Sequence, residues 1–584
     1  MIETSTLTTL EKKAARLFSH IIELHLLDSL YGLCHFDTLS LQIPLPKISP
    51  FEIITMATAT PVMSQSAPTT TTGGLCSIIL NSNRSVVPTS DSSNYPQTSP
   101  PQPDQAPPPV NITQIRDELR AAFKSGKTLD IAYRKKQLMH LAYLFKDNEA
   151  LFNDAFKTDL GRHELETAIL ELNGIIGECI TAWKNVDKWT KPKRAPFNRT
   201  FCVMHPKIYK QPKGVGLVIA PFNYPIRCGV GPMVGAIAAG CPCVIRVSEL
   251  TPNISGLLAE LWPKYMDQAY TQVVNGSTTE MATLLDLQWD HIVFTGSGED
   301  GKIVAQAAAK YLTPTTLELG GQCPVFIDTD TDLNIATRRI LWAKSINAGQ
   351  SYTAPNHVFV LAAQQEKLLA AFRRAHSEFY PGGDQRYQSV SRLVTDSHFE
   401  HVNRLFEHVK DEDIVCGGET DKDNRFFAPT IVKDVKLDHP LMKTEILGPI
   451  LPIVPVESYK EALDYTNAGD HPLALYVYTD NAALREEIIA NTMSGAVDIN
   501  ECVVHVAVPG LPFGGVGASG SGAYTGKFSF DTFTHLRSSI HNPRWTDLLY
   551  GWRYPPYNAS RLKASTSQTP KIPFARPSEE PRRQ

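Results

Sequence analysis

The sequence predicts an α/β protein with two sheet-containing domains, and three observations predict it. Short β-prone runs at 215–219, 241–247, 271–274, 291–294 and 315–319 alternate with helix-length stretches at 225–239, 252–265 and 299–311. Strands separated by helices lie parallel in one sheet, with the helices covering both faces. A second alternation runs from Pro324 to about 500, with strands at 324–327, 357–361 and 451–455 and helices at 332–346, 364–379 and 458–467. The third observation is length: 584 residues exceed what a single hydrophobic core organises.

In chain order, residues 12–35 carry a helix-like apolar run, including Leu17, Ile21, Ile22 and Leu24, behind Lys12, Lys13 and Arg16. Glu3, Glu11 and Glu23 argue against a mitochondrial presequence, and Glu23, His25 and Asp28 break the run too often for a signal-peptide core. Met56, which opens Met-Ala-Thr-Ala-Thr, offers an alternative start. From 57 to 110 the composition turns to Ser, Thr, Pro, Gln and Asn, too polar to offset chain entropy, so 1–110 reads as a disordered, low-complexity extension. Its end, 99–109, has Pro-x-x-Pro spacing, which suits either a polyproline-binding surface or a plain linker. Order is expected from Ile112, where Ile115, Leu119, Ala122 and Phe123 mark one helix face, and helical patterns follow across 130–157 and 163–190. Residues 561–584 mix Pro, Ser, Thr and both charge signs without periodicity and read as a disordered tail.

Composition excludes several classes. A formal charge of -4 gives no electrostatic case for nucleic acid or an anionic membrane. No stretch of about 18 uncharged apolar residues occurs, so nothing reads as a membrane span. The 10 cysteines form no recurring C-x-x-C pairs, so no metal site is read, and Cys241 and Cys243 fit alternation on a buried strand. Scattered cysteines suit a reducing, cytoplasmic location, and a small molecule is the expected partner.

Chemistry concentrates in a few segments. Phe294-Thr-Gly-Ser-Gly-Glu-Asp-Gly301 follows a strand and opens a helix. There Gly296, Ser297 and Gly301 would let a pyrophosphate approach the helix N-terminus, or serve the turn alone. Ala220-Pro-Phe-Asn-Tyr-Pro225 sets Asn223 before a helix-initiating proline, as a ligand donor or a turn cap. Glu318, in Leu317-Glu-Leu-Gly-Gly321, is a candidate base or an ordinary paired carboxylate.

Together with Glu445-Ile-Leu-Gly-Pro449, Leu511-Pro-Phe-Gly-Gly-Val-Gly517 and Arg553-Tyr-Pro-Pro-Tyr557, and in this order, these segments resemble aldehyde dehydrogenases over about 112–557. The likeness is greatest to the class 3 group, which includes fatty-aldehyde enzymes. It implies an aldehyde-dehydrogenase-like fold, with a Rossmann-type dinucleotide-binding domain at 111–318, including a bridging strand at about 205–213. A catalytic α/β domain at 319–504 and a bridging and oligomerisation segment at 505–560, with its bridge at 505–535, complete a homodimer. The resemblance further implies NAD or NADP as cofactor and an apolar or long-chain aldehyde as substrate. By the same resemblance Asn223 is the oxyanion donor, Glu318 the general base, and Glu445 the holder of the nicotinamide ribose. Arg246 stands where the family's lysine contacts the adenosine ribose, and Glu249 can accept from a ribose 2′-hydroxyl.

One position departs decisively. Asn347-Ala-Gly-Gln-Ser-Tyr-Thr-Ala-Pro355 resembles the segment carrying the nucleophilic cysteine, and Tyr352 occupies the cysteine's place. A phenol of pKa about 10 is scarcely ionised at neutral pH, and its adduct lacks thioester reactivity. Gln322, Leu447 and Thr525 also replace the family's lysine, phenylalanine and histidine. Cys323 is the cysteine nearest the general-base segment, but a small buried strand residue is its simpler reading. Two functions follow. One is an oxidoreductase with its cysteine-based activity lost or reduced, leaving Glu318 and Asn223 to act on the hydrated aldehyde. The other is a non-catalytic dinucleotide- or ligand-binding descendant with a regulatory or scaffolding role.

Overall fold

Gly216–Ile219, buried at every residue, becomes the centre of a six-stranded sheet in this computed structural model, which describes residues 111–198, 201–276, 278–382, 386–567 and 572–574. The readings made for 1–110 lie outside the described residues. Across the sheet the order is Gly520–Ser521, Thr315–Leu319, His291–Gly296, Gly216–Ile219, Cys243–Val247, Thr271–Asn275. All neighbours are parallel except Gly520–Ser521, which pairs antiparallel with Leu317 and Glu318. From Gly216–Ile219 the chain steps outward to one side, then returns to build the other. That reversal leaves a crevice beyond the carboxyl ends of the strands, where Rossmann-type sheets take ligands.

The second sheet has seven strands, ordered Ile414–Cys416, Thr430–Val432, Ile450–Val456, His357–Leu361, Pro324–Ile327, Ala474–Tyr478, Ala496–Ile499. Only Ile414–Cys416 runs antiparallel. Successive side chains point to opposite faces. Accordingly Val325, Ile327, Val358 and Val360 enter one core cluster, while Phe326 and Phe359 enter another.

Helix Pro225–Ala239 is apolar all round because it is covered all round: only Arg227 among its residues is not buried. It packs between the first sheet and helices Asn173–Thr190 and Gly526–Thr532. Pro225 starts it with a pre-set φ, and Gly240 ends it in a left-handed conformation at φ 93. The approach to Gly526–Thr532 is close enough that a Cβ on Gly235 would overlap Ser529.

Several expectations need correction. The bridging strand at about 205–213 is Lys207–Pro212, but its partner is Thr534–Ser539, with Thr534 opposite Pro212. Residues 505–533 do not form a bridge; they supply an edge strand and a helix to the first domain. Pairing at such separation follows from tertiary register and has no local signature. The helical pattern 130–157 divides into Ile131–Asp147 and Glu149–Leu160 at Asn148. The tail expected from 561 instead begins inside helix Ala559–Ser567. That helix and the other described residues from Arg544 onward belong to a compact unit separate from the one that holds residues 505–543, so the 505–560 segment is not one body. Among the described residues, no helix is long and apolar enough to cross a membrane, and no group of three His, Cys, Asp or Glu could hold a metal ion.

Replacing Gly235 with valine would force the two helices apart. Gly235→Val is expected to lower unfolding free energy by about 1–3 kcal/mol in a urea titration, as overpacking typically does.

Candidate active site

The two sheets present opposite edges to the site. Asn223 follows strand Gly216–Ile219, Ser248 and Glu249 follow Cys243–Val247, and Ser297 follows His291–Gly296. Tyr352 and Glu445 instead precede strands His357–Leu361 and Ile450–Val456 of the second sheet.

The loop that delivers Tyr352 is tightly specified. Asn347, Ala348 and Gly349 are left-handed in succession, at φ 51, 53 and 71. Such backbone costs a non-glycine residue roughly 1–3 kcal/mol and persists only where its surroundings impose it. Here the Asn347 Nδ2 donates to the carbonyls of Asn223 and Gln350, both at 3.1 Å, and its backbone N–H donates to Glu166 Oε2 at 3.0 Å. Gln350 returns a bond to the Asn347 carbonyl at 3.0 Å and another to the Arg392 carbonyl at 2.9 Å. Gly349 is required as well, since a Cβ would overlap the Gly448 carbonyl.

Arg162 anchors this arrangement. Its fully buried guanidinium pairs with buried Glu171 at 3.0 Å, donates to the Asn223 carbonyl at 2.5 Å, and donates from Nε to Asn347 Oδ1 at 3.2 Å. The rings of Phe156 and Tyr224 lie 4.7 and 5.3 Å from it. Burial raises the Glu171 carboxyl to about 7, with Arg162 opposing the shift. Asn223 is therefore fixed through its backbone, while its Oδ1 accepts from Tyr224 N–H at 3.0 Å and one Nδ2 hydrogen goes to the Gln350 carbonyl at 3.1 Å.

Tyr352 enters a pocket of aromatic rings. Tyr224 meets it edge-on at 6.2 Å between centroids, and Phe513 lies tilted at 6.1 Å. Its hydroxyl is 2.6 Å from the Cys228 thiol, which the Tyr524 hydroxyl also engages. Burial pushes the Tyr352 phenol well above its ordinary range, and nearby Cys228, Tyr524 and Glu318 push the same way. Neither neighbouring sulfur is poised as a thiolate: burial raises both Cys228 and Cys323 to about 12. Cys323 donates to the Tyr352 carbonyl at 3.3 Å, in keeping with a packed strand residue.

Glu318 is 1% exposed, and neither carboxylate oxygen has a hydrogen-bond partner. Desolvation raises it well above the usual carboxylate range. Glu445 lies over Gly320, where a Cβ would overlap its carboxyl, and takes the Gly321 N–H. Burial raises Glu445 to about 8 and lowers nearby Lys344 to about 7, so the pair titrates as a unit near neutrality.

On the first sheet's side, Arg246 contacts Glu249 and donates to the Gly276 carbonyl at 3.0 Å, while its buried Nε has no partner. Ser297 caps helix Gly298–Ala309 by accepting from the Asp300 N–H at 3.1 Å. Gly301 lets that helix close on Leu319, 2.7 Å from where a Cβ would stand. An orphaned guanidinium nitrogen and a helix N-terminus on the crevice fit a dinucleotide, although Glu299 and Asp300 in the first turn weaken the pull on phosphate.

Residues 108–539 match the model of the "Aldehyde dehydrogenase family". This chain belongs to that family. The rat "Aldehyde dehydrogenase, dimeric NADP-preferring" is 40% identical over 446 residues, covering 76% of this chain and 98% of the relative. The human "Aldehyde dehydrogenase family 3 member B1" is 39% identical over 445 residues, covering 76% and 94%. Among solved structures, "Substrate bound state of Staphylococcus Aureus AldH" superposes with TM-score 0.76 at 37% identity, over 79% of this chain and 99% of that one. A Mycobacterium tuberculosis aldehyde dehydrogenase complexed with NAD+ gives TM-score 0.65 at 26% identity, over 73% and 89%. The α/β, Rossmann-type architecture and the class 3 likeness are thus established, and the family's cofactors are NAD or NADP.

Within this aldehyde dehydrogenase site the structure brings Asn223, Glu318 and Tyr352 together through shared neighbours. Sequence reasoning missed Cys228, although it lies one helical turn beyond Tyr224 and so shares its face. Arg162 and Glu171 carried no local signal. Arg162→Ala would leave buried Glu171 without its ion-pair partner, with only the Arg227 N–H at 2.7 Å still donating to it. The variant is expected to lose about 3–5 kcal/mol of stability in a denaturant titration, and a loss below 1 kcal/mol would show that the pair does not hold the loops.

Proposed function

We propose that this family member binds a nicotinamide dinucleotide but does not oxidise aldehydes through a thioester. The observation that carries this reading is the Tyr352 phenol, un-ionised and hydrogen-bonded to Cys228 where a thiolate is needed. Arg246 and Glu249 would hold the adenosine ribose, Gly296 and Ser297 the pyrophosphate, and Glu445 the nicotinamide ribose. When bound, the dinucleotide supplies a hydride acceptor. The Asn223 amide remains available to a carbonyl oxygen, so an apolar or long-chain aldehyde is the proposed ligand class, held without turnover in a regulatory or scaffolding role.

A second reading, slow direct oxidation of the hydrated aldehyde, relies on Glu318 as base. A general base works only when deprotonated, and burial without a hydrogen-bond partner makes Glu318 harder to ionise, which disfavours that route. The thiols of Cys179, Cys228, Cys241, Cys243, Cys323, Cys416 and Cys502, none in a disulfide, support a reducing, cytoplasmic compartment. A homodimer is supported by the word "dimeric" in a relative's name and by the bridging sheet, where Thr534–Ser539 is an edge strand carrying Leu536 at 60% exposure. Sedimentation of a monomer at micromolar concentration would count against it.

The unmodified protein should quench or enhance NADH fluorescence on binding yet form no NADH from aldehydes. Tyr352→Cys should raise the rate by on the order of 10³-fold or more, given what nucleophile loss costs covalent enzymes. In that variant, turnover should climb as pH rises, because the raised pKa of Glu318 delays its ionisation. Equal activity in both proteins would sink the proposal, whereas loss of NADH binding would refute the dinucleotide part alone.

A further inference from the structure

A cavity of about 540 Å³ opens at the amino ends of the first sheet's strands, on the edge opposite the crevice just described. Phe123, Leu129, Trp289, Tyr311 and Leu312 give it apolar and aromatic walls; Lys213 and Asp290 line it too, with Asp290 Oδ2 already accepting from the Val215 N–H at 2.7 Å. Two features mark it as unfilled. Leu312 is left-handed at φ 55 and 90% exposed, and Leu129 is 51% exposed, so two leucines face solvent at its rim. Lys213 is half-buried with no carboxylate in ion-pair distance among the described residues; its ammonium lies 3.1 Å from His291 Nδ1. Burial lowers its pKa accordingly, and His291 is held neutral by burial, at about 3.

We propose that this cavity is the docking site for the proline-rich stretch 99–109 of the same chain, with prolines on Phe123, Tyr311 and Leu312 and Asp104 against Lys213. Polyproline segments are recognised by aromatic-lined grooves, and their pre-ordered backbone loses little entropy on docking. The stretch Pro100-Pro-Gln-Pro-Asp-Gln-Ala-Pro-Pro-Pro109 carries one charge, the carboxylate that Lys213 lacks. Reach is sufficient. Phe123 lies 11 residues beyond Ile112 in helix Ile112–Lys124, about 17 Å along its axis. The eight residues from Asp104 to Ile112 span up to about 25 Å as polyproline. Attachment to the same chain sets an effective concentration in the millimolar range for a short tether, so even a weak contact is populated. This inference is independent of the reading of the active site.

The test uses the full chain with the photo-crosslinker p-benzoylphenylalanine at position 312, an exposed site that tolerates replacement. Irradiation is expected to join position 312 to peptides covering 99–109 of the same molecule, with a yield independent of protein concentration. Asp104→Lys should cut that yield at least fivefold, and adding Lys213→Glu should restore it. A yield that rises with concentration would give the cavity to a second copy and overturn the proposal. Crosslinks elsewhere, or a yield indifferent to Asp104→Lys, would overturn it equally.

Discussion

The site depends on one buried charge. Arg162 touches a helix carboxylate, the carbonyl of Asn223 and the side chain of Asn347, so a single guanidinium sets the distance between the Asn223 loop and the loop that carries Tyr352. A buried ion pair of this kind adds little to net stability over a well-packed apolar substitute, because desolvation consumes most of the Coulombic gain. Its effect here is geometric, joining the Asn223 and Asn347 segments. The planar fork satisfies three acceptors from three parts of the chain at once, which an ammonium on a flexible stem would not do. With Phe156 and Tyr224 stacked on it, the fork has one available orientation.

That scaffold is indifferent to the side chain it delivers. Three successive left-handed residues aim position 352 at the same place whether it holds sulfur or a ring, and their strain is paid for by hydrogen bonds from Asn347 and Gln350. A phenol is accommodated because the surroundings suit one: aromatic rings at Tyr224 and Phe513, and a partner for the hydroxyl at Cys228. A poised thiolate needs the reverse, an unsatisfied and reactive atom. Tyr352 is thus held by ring packing and a satisfied hydroxyl, the opposite of what a poised nucleophile requires.

The largely buried strands were legible because short β-prone runs between helices have few alternatives. Pro324–Ile327, His357–Leu361 and Thr315–Leu319 occur where their composition put them, and Pro225 and Gly240 bound the helix between them as proline and glycine should. The pairing of Thr534 with Pro212 was not legible, since a contact across more than three hundred residues leaves no periodicity. Nor was helix Ala559–Ser567, whose sequence has no apolar stripe. At the site, residue identities were readable but protonation states were not. Glu318 and Glu445 resemble the family's carboxylates, yet their charge is set by burial that only folding creates.

Where the chain departs from its family is itself patterned. Gln322, Tyr352 and Leu447 each stand shortly before a strand of the second sheet, Pro324–Ile327, His357–Leu361 and Ile450–Val456 respectively. Asn223, Glu249 and Ser297 follow strands of the first and keep the crevice's polar groups. Two departures fall outside this division: Arg246, within strand Cys243–Val247 of the first sheet, and Thr525, in the segment after the edge strand Gly520–Ser521. Residues at one sheet's carboxyl edge and another's amino edge are fixed by different cores, so substitution at one edge need not disturb the other. Binding and bond-making therefore rest on separable foundations in this fold. A chain can lose the second and keep the first, provided Arg162 continues to tie the two edges together.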